Sequence, residues 1–167
     1  MTKKDKPKKD EPKKEESEEI EDIFGSKNNY QVTSAHSGTE DSIYNIIVKE
    51  KKMFPSMYHF FALGLVYGIL HNKKSEKTRG GDIIRIDNIS DEKTRDVINI
   101  CYMSLNDGRN QTEIVSEMMS FADGGIEALY KIYEKNGSFQ IPMLIEDSKD
   151  IWAKRVKQLH NINIEDL

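Results

Sequence analysis

MFPSMYHFFALGLVYGIL, residues 53–70, is an almost unbroken apolar run in a chain that is otherwise rich in charge. Its length decides how it is read. A helix that spans a bilayer needs about 20 apolar residues, and after the Pro55-Ser56 start signal only Met57 to Leu70 remain, with His59 among them. A shorter helix that is apolar on every side is expected at the centre of a folded core. Gly64 and Gly68 lie four apart, the spacing that lets a second helix approach closely in membranes and equally in water.

Upstream, Ser37 and Glu40 have capping-box spacing, and Ile43, Ile46 and Ile47 recur at helical intervals as far as Lys51. Lys49, Lys51 and Lys52 suit the negative end of that helix, and Pro55 opens the apolar one, where its missing N–H is harmless. Residues 24–38, FGSKNNYQVTSAHSG, carry turn formers without periodicity and read as linker. Lysines dominate residues 1–14, carboxylates dominate Glu15 to Asp22, and Met1 and Ile20 are the apolar residues of that stretch. Such a segment cannot offset its ordering entropy by burial. Residues 1–38 are therefore expected as a disordered charged tail and linker, and 39–167 as a single α-helical domain.

Downstream, Gly80-Gly81 and the β-branched Ile83, Ile84 and Ile86 predict a short strand or hairpin arm. Asn88 or Ser90 caps the next helix, which is expected to bury Val97, Ile98, Cys101 and Leu105. Asn110 followed by Glu113 caps another, carrying Ile114, Val115, Met118, Phe121 and Ala122; Asp123-Gly124-Gly125 is expected to break it. A further helix follows from Ile126, burying Leu129, Tyr130 and Tyr133 and stopping at Asn136-Gly137. FQIPMLI is expected to be extended because of Pro142, and a last amphipathic helix starts at Asp147. The whole predicts a mainly α fold, five or six helices with a minor β-strand or hairpin.

Chemistry is sparse in this pattern. The net charge is −4 and the pI about 5.6, so no global cationic field draws in nucleic acid. The single Cys101 excludes an internal disulfide and an all-cysteine zinc site, and its apolar face marks it as a small buried hydrophobe. Histidines 36, 59, 71 and 160 show no i, i+4 pair and no HExxH. GxSxG and the P-loop glycine pattern are also missing. No enzyme activity, metal or cofactor is expected. The lysine-rich and glutamate-rich N-terminus has no early apolar region, so no secretory signal is expected and the location is expected to be cytoplasmic, away from membranes.

Two features point towards partners. Lys73, Lys74, Lys77 and Arg79, with Arg85 soon after, form a basic loop suited to a phosphate backbone or an acidic partner. Gln111 to Lys135 has the size of a helix–turn–helix, although its second helix opens on Ile126, Glu127 and Ala128 rather than on donors for base edges.

The order of segments is itself informative. A charged helix precedes MFPSMYHFFALGLVYG, then come the basic loop, GGDIIRID, SDEKTRDVINICY and SFADGGIEALYKI. This order resembles the small bacterial proteins called Dnd system-associated protein 4, found beside DNA phosphorothioation and other phage-defence genes. The likeness spans roughly Glu40 to Lys135 and is most specific over Phe54 to Gly68 and Phe121 to Leu129. It implies an accessory role in DNA modification or defence, inside a protein complex, and says nothing about mechanism. Together with the missing catalytic constellation and the basic loop it gives the expectation of a non-catalytic protein that binds protein partners, with DNA backbone contact through the loop. It brings no catalytic residues. A small helix–turn–helix-like regulator is the alternative expectation.

Overall fold

Two helices crossing through glycines organise the molecule. The computed structural model describes residues 22–24, 30–78 and 80–160, with backbone alone for 152–160. The elements are strand β1 (Gln31–Ser34), a π-helical turn (Asn45–Glu50), α1 (Met57–Leu70), β2 (Gly81–Arg85), a 3₁₀ turn (Ile86–Asn88), α2 (Glu92–Leu105), α3 (Gln111–Asn136) and α4 (Ile141–His160). The fold is mainly helical with one small antiparallel sheet. Of the expected tail and linker, 1–38, residues 1–21 and 25–29 lie outside the described residues.

The apolar run is α1, about 21 Å long at 1.5 Å per residue, and no described helix is long and apolar enough to cross a membrane. Ser56, in extended conformation, is its N-cap, so Pro55 stands one residue before the cap. Gly64 and Gly68 face α3 as their spacing predicts. A Cβ built on Gly68 would lie 2.7 Å from the carbonyl carbon of Phe121, and one on Gly64 would lie 3.0 Å from the Ala122 carbonyl oxygen. Phe60, Phe61 and Leu65 fill the core on the same side, with Ile98 from α2 and Ile114, Met118, Ile126 and Leu129 from α3.

The expected break at Asp123-Gly124-Gly125 is absent. Residues Gln111–Asn136 form one continuous helix, so Gln111 to Lys135 is no helix–turn–helix. The two glycines admit neighbours instead of ending the helix. A Cβ on Gly125 would meet the α1 backbone 2.7 Å from Gly68 N, and one on Gly124 would meet Lys73 O at 2.5 Å. Helical glycine costs about 1 kcal/mol relative to alanine, and backbone approach on two sides outweighs it. The ends of α3 match expectation: the Asn110 side chain accepts from Glu113 N at 2.9 Å, and Gly137 closes the helix at φ +69°.

Four other expectations need correction. Residues 24–38 contain β1, whose Val32 is fully buried, and Ile23 also sits in the core. β1 pairs with β2 antiparallel, Gln31 opposite Arg85 and Ser34 opposite Gly81, with a bulge between Val32 and Thr33. The helix expected from Glu40 begins later and finishes as a π-turn, Lys51 N bonding Ile46 O; Ser37 caps nothing there, since its hydroxyl donates to Gly81 O at 2.7 Å. On α2, Asp91 rather than Asn88 or Ser90 is the N-cap, accepting from Thr94 N at 2.8 Å, and Val97 is exposed, unlike Ile98 and Cys101. Finally, FQIPMLI is not extended. α4 starts at Ile141 with Pro142 in its first turn, where no N–H is needed.

Candidate functional site

Three surfaces emerge around α1 and α3: the basic loop, a polar cluster beneath it, and apolar grooves flanking α1.

The basic loop is clipped along one face of α3. Ser75 N donates to Ser120 O at 2.9 Å, and Ser120 Oγ donates back to Ser75 O at 2.5 Å. The Lys73 backbone rests on Gly124. Lys74 pairs with Glu117 and lies 4.5 Å from the centre of the Phe121 ring, a cation–π contact. Lys77 pairs with Glu127 at 3.1 Å. Glu117 also receives Arg109. Hydrogen bonds and charge from Lys74 and Arg109 hold the Glu117 carboxyl below the usual glutamate range. Of the five basic residues singled out by sequence, Lys73 and Arg85 are exposed, Lys74 and Lys77 face carboxylates of the chain itself, and Arg79 lies outside the described residues.

The polar cluster joins β1, the turn behind it, the loop and α3. Ser34 Oγ donates to Asp123 Oδ1, and Ala35 N donates to Asp123 Oδ2 at 3.2 Å. His36 N donates to Ser34 Oγ at 3.0 Å, while His36 Nε2 meets Glu127 Oε1 at 3.0 Å. Ser75 Oγ donates to the same Glu127 oxygen at 2.9 Å. Burial works to raise the Glu127 carboxyl, but the bonds from Ser75, Lys77 and His36 outweigh it and leave the group below its ordinary value. Tyr44 is buried beside the cluster; desolvation first, then the Asp123 charge, push its phenol well up, so it stays neutral. Within this cluster the imidazole addresses Glu127, and the Ser34 hydroxyl addresses Asp123. This cluster fastens the strand and the loop to α3. No group of residues fit to hold a metal ion is found among the described residues.

His59 is occupied by Ser56, Oγ to Nδ1 2.7 Å. Burial pushes the Cys101 thiol up to about 11, so it is an unreactive thiol at neutral pH.

α1 carries more apolar surface than its neighbours cover. Between α1 and α2 runs a groove of about 420 Å³ lined by Val66, Ile69, Leu70, Val97, Ile100 and Cys101. Ile100 is 66% exposed and Met103 43%, which makes α2 an aliphatic ridge on the groove's edge. Ser104 is the polar residue of the groove's lining. A second groove, about 490 Å³, lies between α1 and α4. The sequence pattern had not indicated either groove. Its available signal was an all-round apolar α1 beside an α2 in which Val97, Ile100 and Met103 do not all fit one buried face.

Comparison with family models, with curated proteins and with solved structures gives no match to this chain.

Proposed function

We propose that this chain is a non-catalytic accessory protein of a bacterial DNA-modification or phage-defence system, and that it works by binding a protein partner on the α1–α2 face. The observation that carries the proposal is the exposed Val97–Ile100–Met103 ridge beside the α1 groove. A fully apolar, aliphatic centre is what the core of a protein interface presents. The defence context rests on the likeness of the segment order described above. DNA contact has less support. Lys74 and Lys77, though exposed, already have carboxylate partners, which leaves Lys73 and Arg85 as the cations outside the ion pairs of the described loop and strand. A regulator reading DNA through a helix–turn–helix has no such element in Gln111–Asn136.

The test is affinity purification of the chain from its native host, in parallel with Ile100→Glu. The expected result is a partner encoded beside DNA-modification or restriction genes, held by the wild type and lost by the variant at unchanged melting temperature. Recovery of the bare chain in both cases overturns the proposal. A duplex-DNA titration at about 50 mM salt, where the phosphate term is strong, decides the DNA component separately.

A further inference from the structure

α4 leaves the core on a strained joint. Gly137 ends α3 at φ +69°, and Gln140 holds φ +46°, a left-handed conformation that residues with a side chain rarely adopt. Phe139 and Leu144 are buried on either side of Gln140, whereas Ile141 is 47% exposed, Met143 43% and Ile145 51%. Ile141 and Ile145 line the groove of about 490 Å³ opposite Leu63, Val66, Tyr67 and Leu70 of α1. The helix is thus held at Leu144 and leaves an open apolar cleft beside it.

Next to the cleft α1 ends in a pair of rings. His71, the C-cap of α1, stacks on Tyr67 with 4.0 Å between centres and 24° between planes. Its Nε2 is shielded from solvent and has no hydrogen-bond partner among the described residues, a state that costs free energy while it lasts. Charge reaches the imidazole from two elements: the carboxylate of Asp147, exposed on α4, and Lys73 in the loop that follows α1. Asp147 acts on the Tyr67 phenol as well, so its charge faces the ring pair. Burial is the largest influence and lowers the imidazole below its ordinary 6.5; Asp147 opposes it, and Lys73 adds to it. The ring is therefore neutral at neutral pH.

We propose that α4 is an acid-closed lid: when His71 takes a proton from solvent, its Nε2–H draws in the Asp147 carboxylate, α4 tilts on the Gly137–Gln140 joint, and Ile145 settles into the cleft against α1. Closure gives the shielded nitrogen an acceptor and sets two opposite charges together. The closed form therefore binds the proton more tightly than the open one, and falling pH favours it. The window lies below pH 6.5, because the open form holds the imidazole below that value. The lid is independent of the proposed accessory role.

Amide hydrogen exchange of the full-length chain, corrected for the intrinsic pH dependence of exchange, reads closure at α4. The expected result is that protection of residues 143–150 rises severalfold from about pH 7.5 to about pH 5.5 in the wild type and stays level in His71→Gln and in Asp147→Asn. His71→Gln keeps every carboxylate of α4, so it separates the lid from any gain the helix makes as its acids are neutralised. Asp147 is exposed, so Asp147→Asn is expected to keep the wild-type melting temperature. An NMR titration of the imidazole is the second readout: the His71 midpoint should be lower in Asp147→Asn than in the wild type. Level protection in the wild type overturns the proposal. So does protection that still rises in either variant, or a His71 midpoint that Asp147→Asn leaves unmoved.

Discussion

Replacing Gly125 with alanine should break the helix crossing on which the fold rests. The added methyl would sit 2.7 Å from Gly68 N and 2.8 Å from the Gly64 carbonyl carbon, and closer still to the Gly64 oxygen. All of these are backbone atoms of α1, so no side chain can swing aside, and the helices must part along their whole contact. Overpacking in a filled core costs typically about 1–3 kcal/mol, and a backbone-on-backbone clash belongs at the upper end. Alanine returns about 1 kcal/mol of helix propensity. The net expectation is a loss of about 2 kcal/mol, or a fall of roughly 4–8 °C in melting temperature for a chain of this size. Gly80→Ala is the matched control, because a Cβ there meets nothing within 4 Å; it should stay within about 0.5 kcal/mol of wild type. Thermal and urea unfolding followed by circular dichroism measure both. A Gly125→Ala protein that melts with the wild type would mean that α1 and α3 do not cross at this point.

Three further outcomes follow from the polar cluster, the clipped loop and Cys101. Asp123→Ala leaves Ser34 Oγ and Ala35 N without their acceptor in a site where Asp123 is 1% exposed; it should cost about 1–3 kcal/mol, read as a lower urea midpoint, and an unchanged midpoint refutes the fastening role. Glu117 and Glu127 both have carboxyls held below the ordinary 4.5, so their stabilisation is present above that pH and is lost as pH falls through their folded values. The urea midpoint should therefore decline below pH 4.5, and Glu117→Gln/Glu127→Gln should flatten that decline; equal slopes in the two proteins would show that the ion pairs contribute nothing. With its thiol raised to about 11 by burial, Cys101 should resist alkylation by iodoacetamide at pH 7.5 until urea unfolds the chain, and mass spectrometry that finds native labelling at the unfolded rate would contradict the placement.

What the sequence makes legible here is whatever depends on neighbours along the chain. The length of α1, the spacing of Gly64 and Gly68, the Asn110 cap and the Gly137 stop are all local statements, and each matches the structure. Tertiary contacts overrode local signals elsewhere. Gly124 and Gly125 look like a break until α1 and the Lys73 backbone are placed against them. Gln31–Ser34 has no strand pattern of its own, and its partner β2 comes only after the whole of α1. The pairing of Lys74 with Glu117 and Lys77 with Glu127 is invisible in a run of basic residues. Its trace is on α3, where Glu117, Ser120, Gly124 and Glu127 recur on one helical face as a polar, small-residue stripe.

Val66 and Leu70 border both grooves. α1 therefore stands between two apolar faces, with its glycine side already committed to α3. The two grooves are neighbours on the helix and share these two side chains. They can be separated at Ile145, which lines only the α4 side, and at Ile100, which lines only the α2 side, but not at Val66, where a polar substitution degrades both. Whatever seats against one flank also fixes the position of the helix that forms half of the other. An apolar helix too short for a membrane has one side that closes the core, while its remaining surface lines two adjoining grooves.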